Sequence, residues 1–127
     1  MKNHMIENKK DAERVLLVIV DFKKPHAQWS LQEDIGEMKE LIITCDGELA
    51  EQVVCHVAKP TAGLLISEDK AKEIAVLSAA NDIDTVVFNC DLKGSQQRNL
   101  EDIIKKKTID RTQLILDIFA KHATSGE

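Results

Sequence analysis

Residues Val15–Val20 read VLLVIV, six consecutive apolar residues with no polar residue among them. A strand with one face in water alternates apolar and polar positions. A strand covered on both faces does not, and such runs are typical of parallel sheets sandwiched between helices. The run ends at Asp21 and is followed by KKPHAQWS, a loop marked by Pro25. A buried strand of this kind requires crossover helices, and the rest of the chain supplies them.

Ser30 with Glu33 forms a capping box for a first helix. Leu31, Ile35, Met38, Leu41, Ile42 and Cys45 recur at spacings of three and four, which gives that helix one buried stripe. Asp46-Gly47 ends it with turn chemistry. Val53–Val57 (VVCHV) predicts a second strand, and Lys59–Gly63 a loop leading into the apolar piece Leu64–Ile66. Ser67 caps a second helix with Glu68 and Asp69 in its first turn; Ala71, Ile74, Leu77 and Ser78 line its inner side. Thr85–Cys90 (TVVFNC) is a third strand. Gly94-Ser95 opens a third helix with Leu100, Ile103 and Ile104 inward, and Lys107–Ile109 is a short fourth strand. Thr112, with Asp110 as a second candidate, is expected to cap a last helix that buries Ile115, Ile118, Phe119 and His122, flanked by Leu114.

This order predicts an α/β fold: three layers, with a mostly parallel four-stranded sheet and helices on both faces. Val18, Val54, Val87 and Phe119 are expected in its core. At 127 residues the chain is one domain's worth, enough to bury a core without disulfides or metal. Residues 1–12 are expected to be a flexible lead-in, 13–122 the domain, and 123–127 a polar tail.

Composition excludes several classes. A net charge of −5 is not that of a domain binding nucleic acid by bulk electrostatics. Lys105, Lys106 and Lys107 fit a helix C-terminus. No apolar run approaches the ~20 residues that span a bilayer, so no membrane role is expected. Three cysteines, Cys45, Cys55 and Cys90, lie in apolar or helical stretches and read as small buried hydrophobes in a reducing cytosol. His4, His26, His56 and His122 show no ligand spacing, and no metal site is expected.

In open parallel sheets ligands gather beyond the carboxyl ends of the strands. The polar residues that fall there are Asp21, Asn89, Asp91, the Asp110-Arg111-Thr112 turn, and Gln96, Gln97, Arg98 and Asn99 at the start of the third helix. Each has a structural explanation as cap, turn former or solvated first-turn residue. Together they make a donor- and acceptor-rich edge suited to phosphate, a nucleic-acid backbone or a partner loop. Arg111 is expected to bond an acid such as Asp91, the Gln96–Asn99 segment, or a partner. There is no GxxxxGK[ST], no GxGxxG after the first strand, no GxSxG and no Cys/His pair, so no residue is assigned a catalytic role.

The stretch SQQRNLEDIIKKKTIDRTQLILDIFA, residues 95–120, closely resembles the end of the amino-terminal domain of HflX-family GTPases; residues 13–94 resemble the same domain more loosely, from the ERVLLV strand onward. The resemblance implies a non-catalytic amino-terminal regulatory domain in the cytoplasm. Its partners would be the large ribosomal subunit and a GTPase domain. GTP and Mg belong to that GTPase domain in a full-length relative, with no cofactor in this chain, and a homo-oligomer is left open. The chain's end, Gly126-Glu127, falls where a linker to the GTPase domain would begin. One departure concerns a glycine loop that the family carries before the second helix. Here it reads Ile66-Ser67-Glu68-Asp69-Lys70, which keeps the lysine but places two acids beside it. Ser67, Glu68, Asp69 and Lys70 are therefore expected to start a helix rather than hold a nucleotide. The alternative from the residues alone is a small-ligand or ATP-binding domain, with a carboxyl-edge pocket lined by Asp21, Asp91 and Arg111.

Overall fold

A computed structural model describes residues 12–22 and 30–125, and side chains up to residue 120. Among these are four strands, β1 (Glu13–Asp21), β2 (Gly47–His56), β3 (Thr85–Phe88) and β4 (Lys107–Ile109). The helices are α1 (Leu31–Thr44), α2 (Glu68–Ala80), α3 (Gly94–Ile104) and α4 (Arg111–Ser125). The sheet order is β2-β1-β3-β4 and every pairing is parallel. The lead-in and most of the Pro25 loop lie outside the described residues, as does the side chain of His122.

The unbroken run in β1 follows from its central position. Leu16, Val18 and Val20 face one side, where α2 and α3 cover them with Ala71, Ile74, Leu100 and Ile104. Val15, Leu17 and Ile19 face the other, against Ile35, Met38 and Ile42 of α1 and Leu114 of α4. Both faces are dry, so no position in β1 between Val15 and Val20 tolerates a polar side chain cheaply. No helix among the described residues is long and apolar enough to cross a membrane.

The caps at Ser30 and Ser67 form as the sequence predicts. Ser30 Oγ accepts from Glu33 N–H at 3.1 Å while Glu33 accepts from Ser30 N–H at 3.0 Å, and Ser67 Oγ accepts from Lys70 N–H at 3.1 Å.

Three expectations need correction. Phe119 is 66% exposed, not core. The buried stripe of α4 runs through Leu114 and Ile118, and the residue after Ile118 is turned about 100° away from it. Val54 is only half-buried, because β2 is an edge strand and Val54 packs at the margin of the α1-side cluster. The second strand is also longer than Val53–Val57: it starts at Gly47 and follows β1 from Glu13, with a register shift between Val15 and Leu16. Gly47 thus stops α1 and opens β2 at once. A Cβ there would meet Ile42 Cγ2 at 3.0 Å and both Ile42 O and Val15 Cγ2 at 3.2 Å, so a side chain would press on the end of α1 and on β1.

Candidate functional site

The strand order reverses between β1 and β3: β2 lies on one side, β4 on the other, and the connecting helices leave to opposite faces. In such sheets the crevice at that switch point is the usual ligand position. Here a buried amide lies beside it. Asn89, just past β3, accepts from Val20 N–H through Oδ1 at 2.8 Å. Its Nδ2 donates to Val20 O at 3.4 Å and to Asp34 Oδ2 at 2.5 Å. Asn89 is buried, and its bonds tie β1, β3 and the first turn of α1 together.

Of the two expected caps in the Asp110-Arg111-Thr112 turn, Asp110 forms and Thr112 does not. Asp110 is the cap of α4: Oδ1 accepts from Gln113 N–H at 2.9 Å. Its other oxygen, Oδ2, accepts from Leu92 N–H at 2.9 Å, so one carboxylate joins the two neighbouring βα junctions. Thr112 does not cap, since it sits inside the helix. Its hydroxyl donates to Asp91 Oδ1 at 2.7 Å. Arg111 reaches neither Asp91 nor the Gln96–Asn99 segment; it donates through Nη2 to Glu37 on α1 and ties α4 to α1. Its Nε is buried without a partner. Asp34 and Glu37 were not singled out in the sequence. Carboxylates in or next to a helix's first turn ordinarily signal only favourable dipole charge, so they carried no separate signal.

The amides at the start of α3 are also structural. Gln96 Oε1 accepts from Lys93 N–H at 2.9 Å and its Nε2 donates to Thr61 O at 3.1 Å. Asn99 donates to Gly63 O at 3.0 Å, and Gln97 to Thr108 O at 2.7 Å. Between them they hold the Thr61–Leu65 loop and β4 against α3. Arg98 is exposed and makes no ion pair among the described residues. At the end of β1, Asp21 lies 3.1 Å from His56 Nδ1. At the start of α2, Lys70 Nζ donates to Glu73 at 3.0 Å and Lys72 stands 3.5 Å from Glu68.

Electrostatics at the switch point follow from burial beside acids. Desolvation pushes the Cys90 thiol up to about 12, reinforced by the nearby charges of Asp91, Asp110 and Asp34. The Cys55 thiol is likewise raised, chiefly by burial. Both are inert neutral side chains near neutral pH. Among the described residues no group of three or more His, Cys, Asp or Glu could hold a metal ion. Asp21, Asp91 and Arg111 all stand at the carboxyl edge, where Asp21 pairs with His56, Asp91 with Thr112 and Arg111 with Glu37.

A family model described as GTP-binding GTPase N-terminal matches residues 32–120. The GTPase HflX of Caldanaerobacter subterraneus is 35% identical over 123 residues, 97% of this chain and 28% of that protein. The GTPase HflX of Flavobacterium psychrophilum is 38% identical over 96 residues, 76% of this chain and 23% of that protein. The Escherichia coli GTPase HflX is 36% identical over 95 residues, or 75% and 22%. The chain thus spans about a quarter of the length of these curated relatives. Among solved structures, a GTP-binding protein from Sulfolobus solfataricus in complex with GDP superposes with a TM-score of 0.62 at 20% identity. That match covers 84% of this chain and 30% of the archaeal one, and it shows a shared fold. With the β2-β1-β3-β4 sheet and the matched stretch running from α1 into α4, the chain belongs to the family of HflX-type GTP-binding GTPase amino-terminal domains.

Proposed function

We propose that this chain is a non-catalytic regulatory module of an HflX-like GTP-binding protein, acting through contacts with the large ribosomal subunit and with a GTPase domain. The observation that carries this reading is the family match over residues 32–120 in a sequence with no GxxxxGK[ST]. The hydrogen bonding at the carboxyl edge supports it: Asn89, Asp110, Gln96, Gln97 and Asn99 each bond groups within the fold. Catalytic groups would need polar atoms free to meet a substrate. Of the SQQRN segment, the Arg98 guanidinium is the cationic group exposed to meet a phosphate backbone.

The test has two measurements on the purified chain. GTP turnover is expected to stay at the level of a blank, and the chain is expected to co-sediment with large ribosomal subunits in a salt-dependent manner. Arg98→Ala is expected to weaken co-sedimentation while leaving the melting temperature within about 1 °C, since exposed positions contribute little to stability. Turnover that persists through rigorous purification refutes the non-catalytic reading. Absence of co-sedimentation at low salt refutes the ribosomal one.

A further inference from the structure

The two edges of the sheet end differently. β4 is three residues long and begins at Lys107. Its outward backbone groups are taken by side chains of α3: Thr108 N–H donates to Glu101 Oε2 at 2.9 Å, and Thr108 O accepts from Gln97 Nε2 at 2.7 Å. Short length, a lysine and covering side chains are the ordinary means of closing an edge. β2, at the other edge, is ten residues long. Val57 N–H donates to Asp21 O at 2.8 Å, so Val57, Cys55 and Val53 direct their backbone groups to β1. The alternate residues Gln52, Val54 and His56 direct theirs outward. Among the described residues no strand lies beyond them. From Gln52 to His56 this edge reads QVVCH, with no lysine, acid, proline or glycine to blunt it. The register shift of β2 comes earlier, opposite Val15 and Leu16, and leaves this segment regular.

We infer that β2 pairs antiparallel with β2 of a second copy of this chain, joining two four-stranded sheets into one continuous sheet. The inference is independent of the ribosomal and GTPase-domain reading above. With the two-fold axis at Val54, that residue faces its own counterpart, and Gln52 faces His56 of the second copy. Each of the three outward residues then satisfies its free N–H and C=O. Charge selects the antiparallel arrangement. Glu48 and Glu51 lie in the first half of β2, and Lys59 follows its end. Antiparallel pairing sets the acidic start of each strand beside the basic end of the other, whereas parallel pairing sets like charges abreast. Apolar surface supports the same edge. Asp34 and Glu37 turn one flank of α1 towards β3 and α4, which leaves Ile43, 62% exposed, on the opposite flank above β2. Because each copy uses its one open edge, the pairing closes at two and does not propagate into fibres.

The experiment is sedimentation velocity of the purified chain from ~10 µM to ~1 mM, the range of transient interfaces, with amide exchange followed by NMR. The mean sedimenting mass is expected to rise with concentration towards twice that of one copy. Amides of Gln52, Val54 and His56 are expected to exchange more slowly as it rises. Gln52→Pro removes an outward donor and keeps the ladder to β1. It should raise the dimer Kd at least about tenfold, since each dimer loses two hydrogen bonds. Val54→Lys, which sets two lysines face to face on the axis, is the second probe should Gln52→Pro lower the melting temperature. Glu51→Lys and Lys59→Glu should each raise Kd, and combining them should recover most of the loss. A mass that stays at one copy throughout overturns the inference, as does a dimer indifferent to Gln52→Pro and Val54→Lys. A charge exchange that restores nothing overturns the antiparallel pairing.

Discussion

Asp110 gives the sharpest test of how the βα junctions are held, because its two oxygens do different work. Oδ1 caps α4 through Gln113 N–H, and Oδ2 takes the Leu92 N–H of the neighbouring junction, both at 2.9 Å. Replacing a good N-cap by alanine costs ~1 kcal/mol. Stranding a part-buried N–H that had bonded a carboxylate costs about 1.5 kcal/mol, the low end of the range because water can partly reach it. Asp110→Ala should therefore lose about 2.5 kcal/mol, or roughly 10 °C in melting temperature for a domain of this size. Asp110→Asn separates the two terms. Asparagine caps as well as aspartate, but its Nδ2 cannot accept from Leu92, so about 1.5 kcal/mol should be lost. Thr112→Ala should cost only ~0.5 kcal/mol, since its exposed hydroxyl bonds Asp91 and caps nothing. Urea unfolding followed by circular dichroism gives all three values. If Thr112→Ala destabilises as much as Asp110→Ala, or if Asp110→Asn is neutral, Asp110 does not hold both junctions in this way.

Two further outcomes follow from packing and burial. Gly47→Ala should destabilise by ~1 kcal/mol, because the new methyl presses on the backbone oxygen of Ile42, and overpacking outweighs the gain from a stiffer unfolded chain; an unchanged urea midpoint contradicts this. Cys90, with its thiol pushed up to about 12, stays neutral in the fold well above the pH at which an unfolded thiol ionises. A pKa raised by folding contributes stability that is present below the unfolded value, near 9, and is lost as pH rises from there towards about 12. Native Cys90 should therefore resist alkylation at pH 8 and label quickly once unfolded, as peptide mapping would show. Equal labelling rates in both states would refute the burial argument.

The order of elements and the sidedness of the sheet were legible in the chain because they rest on local signals. The VLLVIV run demands two dry faces, and the Ser30 and Ser67 caps each act within three residues of their own position. The SQQRN and DRT segments were legible as rich in donors and acceptors. Their partners were not. Gln96 bonds Thr61 across 35 positions, Asn89 bonds Asp34 across 55, and Arg111 bonds Glu37 across 74. An amide or guanidinium advertises its donors but not what will be brought to them, which depends on the strand order and the faces the helices take. The same holds for Phe119: periodicity alone gives an apolar residue next to Ile118, while the angle at which α4 lies on the sheet decides that Leu114 and Ile118 go inward and Phe119 to the surface. Local chemistry thus determined which elements form and where they stop. Only the tertiary arrangement decided which polar groups meet, because those meetings depend on geometry summed over the whole sheet.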